Sequence, residues 1–203
     1  MISEQQLLAL TQTAVAKPRY ADDQNQALID RCLSGEESAY VALYNMYAGM
    51  IYRLLVSMLL NKEDAEEVLQ DSFEYAFRRL DHFDANKSAF KTWLYRIAIS
   101  RCRNKRRRKW LPTFSISQLV TNQVADQETA TPDEVVNLTE TQQVVWHALQ
   151  QLTPKLRETA VLRYYEVLSY AEIGDILEIP TKTAESRMRL AHKALRELLQ
   201  DVI

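Results

Sequence analysis

The chain has 203 residues, 47% of them apolar, with only three Gly and five Pro, which is enough for one or two packed helical modules and argues against a turn-rich sheet protein. Its formal net charge of −2 hides an uneven distribution. Residues 61–84 carry 3 basic and 8 acidic side chains, 85–109 carry 10 and 0, and 110–154 carry 0 and 5, so one strongly positive segment lies between two acidic ones. Cys32 and Cys102 stand far apart without CxxC spacing, and His82, His147 and His192 are equally scattered. This excludes a disulfide framework and gives no zinc or other metal motif. The apolar run Leu54 to Leu60 is too short to cross a bilayer, and the N-terminus lacks a signal-peptide pattern, so the reading is a soluble protein of a reducing cytoplasm, with no membrane insertion.

Residues 1–24 hold a weakly amphipathic piece, Glu4 to Val15, ended by Lys17-Pro18, and read as a loosely attached extension that is either inert or a regulator's binding site. A short helix is predicted from about Gln26 to Leu33, stopped at Gly35. From Glu36 to Leu60 a longer helix follows, with Tyr40, Leu43, Tyr47, Met50, Ile51, Leu54, Leu55 and Met58 recurring every three or four residues. Asn61 is placed to cap a third helix whose first turn holds Glu63 and Asp64 and whose apolar stripe is Ala65, Val68, Leu69, Phe73, Ala76, Phe77 and Leu80. Its other face presents Glu67, Gln70, Asp71 and Glu74, which by spacing alone is a solvated surface.

Asp81 to Ser88 is a polar turn with one aromatic, Phe83, that looks exposed, and Ser88 is placed to cap a fourth helix. That helix carries Phe90, Leu94 and Ile97 on one core face, leaves Trp93 divided between core and base stacking, and turns Tyr95 outward. The stretch 85–109 as a whole holds ten cations: Lys87, Lys91, Arg96, Arg101, Arg103, Lys105, Arg106, Arg107, Arg108 and Lys109. Cations neutralise phosphates and release counterions, while flat rings stack on unpaired bases, so 85–109 reads as a nucleic-acid contact rather than a disordered basic tail. Four helices with short connections make a bundle over 25–110.

Pro112 breaks the pattern, and 111–136, rich in Thr, Ser, Gln and Asn with Asp126, Glu128, Asp133 and Glu134, reads as an acidic linker between two domains. It is either an inert tether or an acidic strand that occupies a basic channel on a partner. A second domain over 137–203 is predicted from four further helices, the first starting at the end of the linker as Val135–Leu152, then 155–167 with Thr153-Pro154 at its start, a short one opened by the capping box Ser169-Tyr-Ala-Glu172, and 182–200 with Thr181 as cap. A short helix, a turn of about four residues and a longer helix are the layout of a helix-turn-helix. In the last helix Ala184, Met188, Ala191, Leu195 and Leu198 form the buried stripe, and Lys182, Thr183, Glu185, Ser186, Arg187, Arg189, His192, Lys193 and Arg196 supply the polar side chains. Arg can pair with two acceptors of guanine, Ser with a base or phosphate, and Glu with the cytosine amino group. The whole is therefore all-α, two helical modules joined by a flexible acidic linker.

Residues 64–109 resemble region 2, and 152–199 resemble region 4, of the bacterial RNA polymerase sigma factors of the sigma-70 family, extracytoplasmic-function (ECF) subfamily; with the preceding bundle helices the resemblance covers nearly all of 25–200. It implies a promoter-specificity subunit, not an enzyme, that binds core RNA polymerase and promoter DNA, uses no cofactor, metal or small-molecule substrate, and answers to a separate anti-sigma factor. On that likeness Glu67, Gln70, Asp71 and Glu74 dock on the polymerase clamp. The turn with Phe83, Asn86, Lys87 and Ser88 captures a base flipped from the minus-ten element, and Lys91, Trp93, Arg96 and Arg101 line the path of the separated strand. Lys182, Thr183, Glu185, Ser186, Arg187, Arg189, His192 and Lys193 face the minus-thirty-five element. The linker threads the polymerase channels. The sequence departs from the family at Glu185, Leu190 and His192, where basic residues are common. Two other classes compete: a stand-alone helix-turn-helix regulator, which leaves the aromatics of 83–95 unexplained, and a metal-dependent nuclease built on the carboxylates of 63–74, which lacks a second carboxylate cluster.

Overall fold

The computed structural model describes residues 21–110 and 140–199; the predicted piece at Glu4 to Val15 and the 111–136 linker lie outside them. All the described regular structure is helical: α1 (Ala21–Leu33), α2 (Glu37–Leu59), α3 (Lys62–Arg78), a 3₁₀ turn (Leu80–His82) and α4 (Phe90–Trp110), then α5 (Glu140–Gln151), α6 (Pro154–Tyr164), α7 (Tyr170–Leu177) and α8 (Thr181–Leu199). Among the described residues no helix is long and apolar enough to cross a membrane.

In the first module α2 is the central element and packs on α1, α3 and α4. It buries Leu43, Tyr47, Ile51, Leu54, Leu55 and Met58, while Tyr40 and Met50 of the predicted stripe are half-buried at its edge. Leu60 ends it in the left-handed region, φ 59°, and the chain re-enters helix at Asn61, whose side-chain oxygen accepts from the Asp64 N–H at 2.7 Å. α3 then buries Ala65, Val68, Phe73 and Ala76, with Leu80 just beyond it. The fourth helix begins one residue later than a Ser88 cap requires. The Trp93 N–H donates to the Ala89 carbonyl, which makes Ala89 the cap residue.

In the second module α5, α6 and α7 pack on α8. α6 stops at Tyr164, three residues short of the predicted end, because Val167 turns to φ 54° and reverses the chain. The capping box is present in full: Glu172 N–H donates to Ser169 Oγ at 3.2 Å, and Ser169 N–H donates to the Glu172 carboxylate at 2.7 Å. At the turn Gly174 is packed so closely that a Cβ there would stand 2.8 Å from the Ile179 carbonyl oxygen. The last helix starts at Thr181 itself. The Thr183 and Ala184 N–H groups donate to the Pro180 carbonyl, so Pro180 takes the cap position predicted for Thr181. α8 buries Ala184, Met188, Ala191, Leu195 and Leu199; the 3.6-residue period brings Leu199 inward and leaves Leu198 half-buried.

The two modules share a core. Val161, Leu162, Leu168, Ile173, Ile176 and Leu177 join the apolar cluster of the first bundle, and α6 packs on α2 while α7 packs on α4.

Candidate nucleic-acid interface

On α3, Glu67, Gln70, Asp71 and Glu74 are all exposed and share the face turned away from Val68 and Phe73. Glu74 pairs with Arg78 one turn on, and Glu67 pairs across to Lys105 of α4, whose ammonium is held above its ordinary pKa chiefly by that hydrogen bond. The face is thus acidic and preorganised by one continuous helix.

The loop before α4 is shaped by Asp84. Its carboxylate accepts from the Asn86 N–H at 3.0 Å and pairs with Lys87 at 3.3 Å; the backbone hydrogen bond first, then Lys87, lower its pKa. Asn86 and Lys87 are exposed and Ser88 half-buried. Phe83 is not an exposed ring. It is half-buried, edge-on to Phe90 at 5.4 Å and tilted against Trp93 at 5.5 Å, with Phe90 and Trp93 5.7 Å apart. Phe90 is the buried member of this trio, so the half-buried Phe83 and Trp93 rest on the core and leave an edge at the surface, which answers the ambiguity of Trp93. Arg101 stacks its guanidinium 4.5 Å over Tyr75.

Tyr95 reverses the expectation from sequence. It is fully buried, and its hydroxyl donates to Glu166 of the second module. Burial and the adjacent Glu166 charge hold that hydroxyl protonated far above the ordinary tyrosine range. Tyr95 sits in the apolar cluster that the two modules share, and Glu166 in the α6–α7 turn meets its hydroxyl. The same packing engages Lys91, paired with Glu166 at 3.2 Å, and Arg96, whose Nε donates to the Asp175 carbonyl at 2.9 Å.

Further along α4, Glu158 of α6 is buried, with a side chain only 2% exposed, and accepts from Arg103 at 2.8 Å and also from Arg106. Arg157 is buried beside it. Its guanidinium donates to the Leu149, Gln150 and Leu152 carbonyls at the end of α5 and reaches the Met58 carbonyl of α2 at 3.4 Å. It therefore satisfies carbonyls that a helix end leaves unpaired and ties the modules together. Sequence reasoning missed Tyr95, Arg103, Arg106, Arg157, Glu158 and Glu166 as a group, since their partners lie 52 to 99 residues apart.

On α8, Lys182, Glu185, Arg189 and Lys193 are exposed, and Thr183, Ser186, Arg187 and His192 are half-buried. Glu185, Arg189, His192, Lys193 and Arg196 line one shallow concavity with Tyr170. His192 shares a hydrogen bond with the Tyr164 hydroxyl, their rings stacked at 5.8 Å, which fixes the imidazole. Arg187 lies on another side of the helix, in the cleft between the modules. Among the described residues no three His, Cys, Asp or Glu side chains converge as a metal would require.

Comparison with known proteins covers both modules. Residues 43–111 match the family Sigma-70 region 2, and residues 142–195 match Sigma-70, region 4. The chain is 33% identical over 186 residues to the ECF RNA polymerase sigma factor SigW of Bacillus subtilis (strain 168), covering 86% of this chain and 96% of that protein. Among solved structures, CnrH in complex with the cytosolic domain of CnrY superposes with a TM-score of 0.64 at 23% identity, covering 88% of this chain and 99% of that one. The sigma factor RpoE in complex with the anti-sigma factor NepR from Bartonella quintana superposes at 0.61 and 21% identity, covering 81% and 98%; at these identities the likeness is one of fold.

Proposed function

The chain belongs to the extracytoplasmic-function subfamily of the sigma-70 factors, and from this premise we infer how its two modules divide the work of a promoter-specificity subunit. It is a non-enzymatic subunit that acts with core RNA polymerase on promoter DNA, and so works in the cytoplasm, where the chromosome is. The acidic face of α3, Glu67 to Glu74, docks on the polymerase. The turn holding Phe83, Asn86, Lys87 and Ser88 receives a base taken out of the minus-ten stack, with Trp93 as its floor. Flipping costs a few kcal/mol of unstacking and unpairing, and a ring platform flanked by cations offsets that cost by stacking and phosphate contact. Lys91, Arg96 and Arg101 then follow the separated strand. In the second module Lys182, Thr183, Glu185, Ser186, Arg189, His192 and Lys193 face the minus-thirty-five duplex, while Arg187 points instead into the cleft between the modules. An anti-sigma protein is the regulator we propose for it.

The observation that carries this reading is the half-buried pair Phe83 and Trp93, seated on the buried Phe90 at the start of a cationic helix, in the same chain as a helix-turn-helix whose first helix has a complete capping box. In the free chain the second module lies over Lys91, Tyr95 and Arg96, so the closed arrangement keeps part of the strand path covered until polymerase separates the modules.

Run-off transcription by purified bacterial core polymerase, with and without the chain, tests the reading on genomic promoter fragments including the one upstream of its own gene. Discrete starts that need the chain, and that weaken on Glu67→Ala, Gln70→Ala and Asp71→Ala, are the expected result. A chain that leaves initiation unchanged yet footprints a duplex site alone is instead a stand-alone regulator.

A further inference from the structure

A cleft of about 1750 Å³ lies between the C-terminal half of α4, the α5–α6 junction and the first turns of α8. Its wall holds eight Lys or Arg side chains against two carboxylates, Asp64 and Glu158. Both carboxylates are already engaged, Asp64 by Lys105 and Lys109 and Glu158 by Arg103 and Arg106. Arg107, Lys155 and Arg187 come from three separate segments, and none has a carboxylate partner among the described residues. Arg106 in the same wall keeps its Nη1 buried with no hydrogen-bond partner, an N–H that has lost water and gained nothing.

Like charges gathered from three segments repel one another, so the arrangement favours an anion between them. Two features define which anion. No Phe, Tyr or Trp is among the described lining residues, so the cleft offers no ring on which bases stack, unlike the Phe83–Trp93 platform at the other end of α4. Its volume also exceeds the roughly 300–1,000 Å³ of a usual small-molecule pocket, which suits an extended, multiply charged chain. We propose that this cleft binds a condensed-phosphate chain, supplied either by inorganic polyphosphate or by a nucleoside polyphosphate, with Arg107, Lys155 and Arg187 as its principal contacts. Because those contacts come from both modules, the ligand binds the closed arrangement and stabilises it by mass action. Arg103 and Arg106 then stay engaged with Glu158. The binding itself is independent of the promoter reading; only its consequence for transcription rests on it.

Calorimetric titration of the full chain with sodium tripolyphosphate, without polymerase or promoter, tests the site. Saturable binding is expected that equal ionic strength of sulfate does not displace, and that Arg107→Gln, Lys155→Gln and Arg187→Gln together weaken by about tenfold or more. A charge loss outside the cleft, Arg53→Gln on the exposed face of α2, leaves it unchanged, and an unaltered thermal transition in each variant shows that folding is intact. ATP binding as tightly as tripolyphosphate assigns the chain to a nucleotide source, and binding by the inorganic chain alone assigns it to inorganic polyphosphate; either supports the site. Equal affinity in the triple variant, displacement by sulfate, or an oligodeoxythymidine that outcompetes tripolyphosphate would overturn it, the last in favour of a nucleic-acid groove.

Discussion

Replacing Glu158 with Gln shifts the modules towards separation without changing the apolar core that they share. Glu158 is 2% exposed and is the shared acceptor of Arg103 and Arg106, whose side chains are 38% and 27% exposed. Removing one partner of a fully buried pair costs about 3–5 kcal/mol, but both guanidinium groups here reach water and the glutamine oxygen still accepts one bond, so we expect about 2 kcal/mol. Since the arginines lie on α4 and the carboxylate on α6, that loss falls on the packing between modules. At 1.4 kcal/mol per tenfold, the ratio of separated to closed chains rises roughly thirtyfold. Spin labels on cysteines introduced at the exposed Glu66 and Arg196 report the change as growth of a long-distance population, and fluorescence anisotropy reports tighter binding of a single-stranded oligonucleotide to the uncovered α4. If the urea midpoint falls while the distance distribution and oligonucleotide affinity match wild type, Glu158 only braces α6, and the reasoning fails.

Gly174→Ala forces a Cβ to within 2.8 Å of the Ile179 carbonyl, a backbone atom that cannot swing aside; a loss of about 1–3 kcal/mol in urea unfolding is expected, with weaker duplex binding as the α7–α8 angle shifts. Asn61→Ala removes the cap bond to the Asp64 N–H and costs about 1 kcal/mol by the same measurement, whereas Asn61→Ser restores most of it. Burial pushes the Cys102 thiol up to about 12 from its usual 9, so its contribution to stability is complete below about pH 9 and is lost as pH rises from there towards 12. Urea midpoints of Cys102→Ala should accordingly fall less steeply than wild type between pH 9 and 11. In native buffer at pH 8 neither Cys102 nor the buried Cys32 should react with a thiol reagent, and both should react in denaturant.

Much of the fold is local and therefore legible in the chain alone. The apolar periods of α2, α3 and α8, the Asn61 cap and the Ser169–Glu172 box each depend on contacts three or four residues apart, and the structure repeats them within a residue or two. The caps at Ala89 and Pro180 were missed because a backbone carbonyl fills the position, and every residue type has one. The polar faces of α3 and α8 follow from the same periodicity that fixes their buried stripes.

What the sequence could not disclose is how α4 divides its aromatics and cations. Tyr95 and Phe83 were expected at the surface, yet one is buried under the second module and the other leans on Phe90. Ten positive charges within 85–109, with no acidic residue among them, say that an anion belongs there, not which anion. Only the packing of α6 on α2 and of α7 on α4 gives Arg103 and Arg106 to Glu158, Lys91 to Glu166, and Arg107 and Arg187 to a common cleft. Helix periodicity is set by neighbours one turn away, whereas the partner of a long cation is set by whichever distant surface the hydrophobic contacts bring within about 4 Å, and that is a property of the folded chain.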